Sequence, residues 1–271
     1  MTGCYGQDWS SYQSSAPDTT GLSFAFVKVT EGLHYVNPKW SAQREQAKSK
    51  GLLWGAYHYP NMHDSAKEEA DFFLSKVKWE PGDMVVLDWE GYDRNNAGLT
   101  NKQRNSYKES YLSYIKSKLP HNPVGIYCNT DYWLNVDTSN SYQDFLWIAT
   151  AGKHAGDPGI KADWLFHQYS ASSVDKDYCK LSADDLKTWA HSFNQEETDM
   201  ALTDAELKKI TDAVADAVYD KIMKTDGLLK APTDAADYKK NPFWTFQSHI
   251  ESQTANMHAI LALLKKYKPS K

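Results

Sequence analysis

The sequence predicts an α/β fold: a closed, irregular barrel of eight strands, then a small helical C-terminal module. Three observations predict it. Short apolar, β-branched and aromatic runs alternate with amphipathic helical patterns, which is how a parallel sheet covered by helices reads in sequence. Eight such runs occur, enough to close a barrel. Composition then shifts near residue 195, with nine of the ten Trp before it.

The strands are expected at 3–8, 24–30, 53–59, 84–90, 124–129, 145–150, 164–170 and 174–179. Helical patterns lie at about 38–49, 64–77 and 100–118. The last three strands are joined by segments with little room for full helices, so the barrel is expected to be irregular there. Domain boundaries follow as 1–195 for the barrel and 196–271 for the helical region. From Met200 onward Lys outnumbers Asp plus Glu by 11 to 9, whereas before it the acids lead by 26 to 19. In the tail, Thr203 and Glu206 have capping-box spacing. Leu207, Ile210, Val214, Ala217 and Val218 follow at helical spacing. A second helix is expected at about 242–266, with Phe246, Ile250, Met257, Ile260, Leu261 and Leu264 on one side. Such stripes need a partner, either the barrel or another copy of the chain.

A net charge of −5 argues against a nucleic-acid footprint, which needs a basic face. Three scattered cysteines, Cys4, Cys128 and Cys179, make no disulfide framework and no CxxC pair, and read as buried thiols. No apolar run approaches the length of a membrane span. The N-terminal MTGCYGQDWS shows no basic segment followed by an apolar one, so no secretory signal is expected.

The chemistry is carried by "MVVLDWEG", residues 84–91. An apolar strand ends in two carboxylates. Residues two apart on a strand share a face, so Asp88 and Glu90 point one way and Leu87 and Trp89 the other. Catalytic groups of parallel barrels stand at the C-terminal ends of strands. Asp8 ends the first strand, Glu31 follows the second and Asp175 lies at the eighth. Several acids thus converge on one rim. Each alone reads as a turn former or helix cap. As a cluster they raise one another's pKa, which suits a reaction needing one protonated acid and one charged partner, as glycosidic cleavage does. A divalent-metal site is the other use of an oxygen cluster, but no loop supplies ligands at close regular spacing, and no metal is expected.

Eight segments in order, "GQDWSSYQ", "FAFVKVTEGLHYVNPKW", "GLLWGAYHY", "VVLDWEG", "GIYCNTDYW", "LWIAT", "FHQYS" and "VDKDYC", resemble glycoside hydrolase family 25, the lysozymes that cut peptidoglycan. The resemblance covers about residues 4–180. It implies an irregular (β/α)5(β)3 TIM-like barrel that hydrolyses the β-1,4 bond between N-acetylmuramic acid and N-acetylglucosamine, with no cofactor. By position, Glu90 matches the general acid and Asp88 its partner, orienting, polarising or attacking. Asp8 and Asp175 match the further rim acids. The family's usual Gly-containing loop before the last Asp is compressed here, and Asp177 stands where Asn is common, so Asp175 and Asp177 both remain open for that role. Glu31, Tyr35, Tyr57, Tyr59, Tyr127, Trp147 and Gln168 are candidate substrate-binding residues. His58 reads instead as a hydrogen-bonded core histidine.

A barrel with an additional C-terminal module and no expected signal peptide resembles a phage endolysin, held in the host cytoplasm until released to the wall. Bacterial peptidoglycan is the expected partner, with neither nucleic acid nor membrane. The C-terminal helices are read as a self-association or wall-targeting region. Met200-Ala-Leu reads as a candidate internal start. Two alternatives compete. A non-catalytic peptidoglycan- or chitin-binding barrel would be expected to lack Asp88 or Glu90. A chitinase-type barrel would show a longer run of alternating acids.

Overall fold

The computed structural model describes residues 3–91, 96–150, 152–172 and 174–194, and beyond them 209, 229–230, 239, 243–245, 248 and 250–258. The chain divides into two units, Met1–Glu196 and Glu197–Lys271. No helix among the described residues is long and apolar enough to cross a membrane.

The first unit is an eight-stranded barrel. Its strands are β1 (Cys4–Trp9), β2 (Phe24–Glu31), β4 (Leu53–Tyr59), β5 (Met84–Asp88), β6 (Val124–Asn129), β7 (Phe145–Ala149), β8 (Phe166–Ser170) and β9 (Asp175–Cys179). A two-residue strand, β3 (Tyr35–Val36), is added to the outer end of β2. The order around the wall is β1-β9-β8-β7-β6-β5-β4-β2, and parallel pairing of β1 with β2 closes it. Seven strands are parallel. β9 runs antiparallel to both its neighbours, Cys4 facing Cys179 and Asp8 facing Asp175 across one edge.

Three helices cover the outside: α1 (Trp40–Ser49), α2 (Ala66–Leu74) and α3 (Asn101–Lys118). Their starts are written in sequence. Ser65 caps α2 by accepting from the Glu68 N–H, and Thr100 and Gln103 form a reciprocal capping box on α3. Residues 10–23, rich in Ser and Thr and containing Pro17, Asp18 and Gly21, form turns where a regular barrel would have its first helix. A π-helical turn, Tyr132–Val136, replaces the helix after β6. A fourth helix, α4 (Ala183–Ser192), was not expected from sequence. It packs Leu186, Ala190 and Trp189 onto the start of β7 and β8, with Trp189 edge-on to Phe145 at 5.6 Å.

Strand alternation sorts side chains into two cores. Val85 and Leu87 point outward to the helices with Val27, Ile126, Phe73 and Tyr111, while Met84 and Val86 point inward with Phe24, Phe26, Phe145, Trp147 and Phe166. The interior is a packed stack of rings, Phe26 lying parallel to Trp147 at 4.2 Å. Gly55 makes room for it: a Cβ there would fall 2.3 Å from the Phe26 ring.

In the second unit, Leu229–Lys230 pair antiparallel with Phe243–Trp244, and residues 250–258 are helical. The helix expected at 242–266 therefore begins after a short strand, since Phe243 and Trp244 are extended. The helix expected from Thr203 to Gly227 falls almost wholly outside the described residues.

Candidate active site

β5 ends at Asp88, two residues earlier than expected, but its direction continues: the Trp89 N–H still donates to the Tyr127 carbonyl at 2.7 Å. Trp89 is buried in the outer core, its indole N–H held by the Arg104 carbonyl at 3.2 Å. That anchor turns Asp88 and Glu90 to the inside. Both line a cleft of about 260 Å³ at the C-terminal mouth of the barrel, together with Asp8, Tyr57, Tyr127, Trp147, Gln168, Ala171 and Asp175.

Eight of the eleven residues singled out in the sequence meet in this cleft. Tyr57 and Tyr127 stand edge-on to the Trp147 ring at 6.3 and 4.5 Å, which makes an aromatic floor. Polar groups are linked above it. Tyr127 donates to Gln168 at 2.9 Å, and Gln168 donates to Asp8 at 2.8 Å. Asn129, at the end of β6, donates to Glu90 at 3.1 Å and fixes that carboxylate from the neighbouring strand. Asn129 was not singled out from sequence, although its place at a strand end beside β5 was a usable signal.

Glu31, Tyr35 and Tyr59 do not line this cleft. They gather around Lys28, which was also missed. Lys28 Nζ pairs with Glu31 at 2.7 Å and lies 4.9 Å from the Tyr59 ring centre and 5.8 Å from that of Tyr35. A bulge explains the grouping. The β2–β4 register slips between Lys28 and Thr30, so Lys28 and Glu31, three apart, both face the mouth. Thr30 faces outward instead, to bond His58 at 2.8 Å. His58 is buried behind β4 and also bonds Glu69 at 2.6 Å, away from the cleft.

The electrostatics follow from crowding acids over an aromatic floor. Burial pushes Asp88 well above the usual carboxylate range, the charge of Glu90 adds to the push, and Lys28 opposes it. Burial and the charge of Asp175 push Asp8 up to about 8, against hydrogen bonds from Gln168 and Asp177 that favour its charged form. Asp175 lines the cleft half-buried, whereas Asp177 lies fully buried one inward-facing position along β9, bonded by the Trp147 indole N–H at 2.8 Å. The rim position is thus held by Asp175, and Asp177 underlies it. No cluster of metal-ligand type is found among the described residues.

A mouth of this composition, on a barrel of this topology, has known counterparts. The model of glycosyl hydrolases family 25 matches residues 7–178. The chain belongs to that family. Lysozyme M1 of Streptomyces globisporus is 31% identical over 179 residues, covering 61% of this chain and 58% of that protein. The lysozyme of Streptococcus phage Cp-7 is 30% identical over 195 residues, covering 69% of this chain and 54% of that protein. This chain therefore spans little more than half the length of these two relatives. Among solved structures, the bacterial lysozyme from Streptomyces coelicolor superposes with a TM-score of 0.60 at 25% identity, covering 71% of this chain and 99% of that one. The family 25 match ends at Cys179's neighbour, Tyr178, so the second unit lies outside it.

Proposed function

We propose that this family 25 chain is a peptidoglycan hydrolase that cleaves the β-1,4 bond between N-acetylmuramic acid and N-acetylglucosamine. The observation that carries the reading is the convergence of Asp88 and Glu90 with Asp8 and Asp175 in one aromatic-floored cleft. Similarity to two lysozymes supports the substrate class. Similarity to a phage lysozyme supports a role as an endolysin that lyses the host wall. Self-association through the C-terminal helices belongs to the same proposal. On helix 250–258, Ile250 and Met257 are exposed and offer it an apolar surface.

In the mechanism, Glu90 is the general acid to the leaving oxygen. The charge of Glu90 opposes a charge on Asp88. One proton between them suffices. With the proton on Glu90, that residue's share of the push on Asp88 is removed, and Lys28 favours a charge on Asp88 against the burial that still opposes it. Asp88 then orients the substrate's own acetamido group, which attacks the anomeric carbon as Glu90 protonates the departing oxygen. Water opens the resulting ring from the vacated side, with Glu90 as base, giving net retention. Proton NMR of early product checks this, and an inverted anomer would contradict it. Tyr57, Tyr127 and Trp147 offer ring faces and hydroxyls to the sugars.

The deciding experiment is mass spectrometry of purified peptidoglycan treated with wild type and with Glu90→Gln. Fragments ending in reducing N-acetylmuramic acid, reduced ~100-fold or more in the variant, are the expected result. Reducing N-acetylglucosamine would overturn the bond assignment. Binding without cleavage would move the reading to a sugar-binding barrel.

A further inference from the structure

Below the cleft lies a carboxyl that the mechanism above does not use. Asp177 is completely buried. Its Oδ1 accepts from the Trp147 indole N–H at 2.8 Å, while its Oδ2 is buried with no donor to meet it. An ionised carboxylate with one oxygen in that state is strongly disfavoured. The antiparallel register explains what it faces. Asp8 is opposite Asp175, and Gly6, two residues back on β1, is opposite Asp177. With no side chain on Gly6, the Asp177 carboxyl has Asp8 as its neighbour on that strand, and the three carboxyls lie within hydrogen-bonding reach in the order Asp177, Asp8, Asp175. None of the three has an ion pair among the described residues.

We propose that Asp177 is an un-ionised carboxylic acid in the resting protein, that its Oδ2–H donates to Asp8, and that it is thereby a positioning residue for the cleft acids. The hydrogen bonds then run in one direction. Asp177 donates to Asp8, Asp8 donates to Asp175, and the negative charge of the row rests on Asp175, the member that lines the cleft. Gln168 supplies a further donor to Asp8 from β8. The other titratable groups around the row include Tyr57 from β4, Tyr127 from β6, Tyr169 from β8, Asp88 at the end of β5 and Glu90 beyond it; Tyr57 and Tyr127 are both pushed upward, chiefly by burial and then by these acids. Burial, with the charge of Asp8 behind it, acts on Asp177 in the sense the geometry requires, well above the usual range. Asn at this position would keep the Trp147 acceptor and the donor toward Asp8, which is what a protonated Asp supplies.

The test compares the whole chain with Asp177→Asn and Asp177→Ala. Infrared difference spectra at neutral pH, without substrate, should show one protonated-carboxyl C=O band in wild type that Asp177→Asn lacks. In kinetics, Asp177→Ala should lower kcat by about 10- to 100-fold, the scale of one hydrogen bond in a charged network, and Asp177→Asn should restore it to within about 3-fold of wild type. An unchanged carboxyl band overturns the proposal. So does a folded Asp177→Asn that is as inactive as Asp177→Ala. The kinetic arm rests on the proposed hydrolase reading. The infrared arm does not, so a wild type that fails to cleave the wall sinks that reading while leaving this one to the spectra.

Discussion

Asp8→Asn should make the barrel more stable toward alkaline pH while removing activity. The Asp8 carboxyl is lifted from 3.8 to about 8, by burial first and the charge of Asp175 second. Between those values the folded chain holds a proton that the unfolded chain releases. Its stabilising contribution is fully present below pH 3.8 and is lost as pH rises through that window to about 8. At neutral pH the gap is roughly three pKa units at about 1.4 kcal/mol each, so wild type forfeits at most on the order of 4 kcal/mol. The figure is an upper limit, because part of the push belongs jointly to Asp8 and Asp175. Asn carries no such proton. Its carbonyl keeps the 2.8 Å bond from Gln168, and its amide can donate to Asp175. Urea denaturation of both proteins across roughly pH 5 to 8 is the assay. Asp8→Asn should gain on wild type by about 1–3 kcal/mol over that range, with wall cleavage reduced ~100-fold or more. A stability difference that stays constant with pH would refute the reasoning, since it would mean that Asp8 binds protons alike in both states.

Two further outcomes follow from the cleft and the interior. Lys28→Met removes the cation that opposes the upward push on Asp88. Asp88 then holds its proton to higher pH, so the acidic limb of the kcat/KM profile on peptidoglycan should move upward; an unmoved limb would separate Lys28 from Asp88. Gly55→Val places a Cβ 2.3 Å from the Phe26 ring, in the middle of the packed interior. It should destabilise the barrel by about 1–3 kcal/mol or more in urea, and an unaffected midpoint would show that the ring stack yields easily.

The strands were legible because their residues are apolar on both faces, inward to rings and outward to helices. Asp88, Glu90, Asp8 and Asp175 were legible because strand alternation and a shared mouth act on residues far apart in sequence. Besides Asn129, three features of the barrel were not read. The bulge at Val29 breaks the two-residue period, so Lys28 and Glu31 could not be recognised as sharing a face. Direction was missed for β9, although only residues 171–174 separate it from β8, too few for a parallel crossover. Helix α4 has a Ser182 cap and Leu186, Trp189 and Ala190 at helical spacing, but the stripe is short and no element was expected there. Tyr35 and Tyr59 were grouped with the cleft because strand ends were treated as one rim. The bulge instead sets them around Lys28.

Trp147 ties the ring stack to the acids, and that makes it the sharpest probe of the whole arrangement. Its ring lies parallel to Phe26 at 4.2 Å and meets Tyr127 at 4.5 Å, so it forms the floor of the cleft. Its N–H is also the donor to Asp177. Trp147→Phe keeps an aromatic floor and deletes the donor. Loss of ring volume and of one buried hydrogen bond should destabilise the fold by about 2–4 kcal/mol. If the floor alone matters, kcat should change little once the variant is assayed below its unfolding temperature. If the acids are held in place from beneath, kcat should fall by about 10-fold or more with KM much less affected, because Asp177 can then rotate away from Asp8. The second outcome is expected. A variant that loses only affinity would show that Trp147 serves the cleft as a surface for sugar rings and not as a support for the carboxyl row.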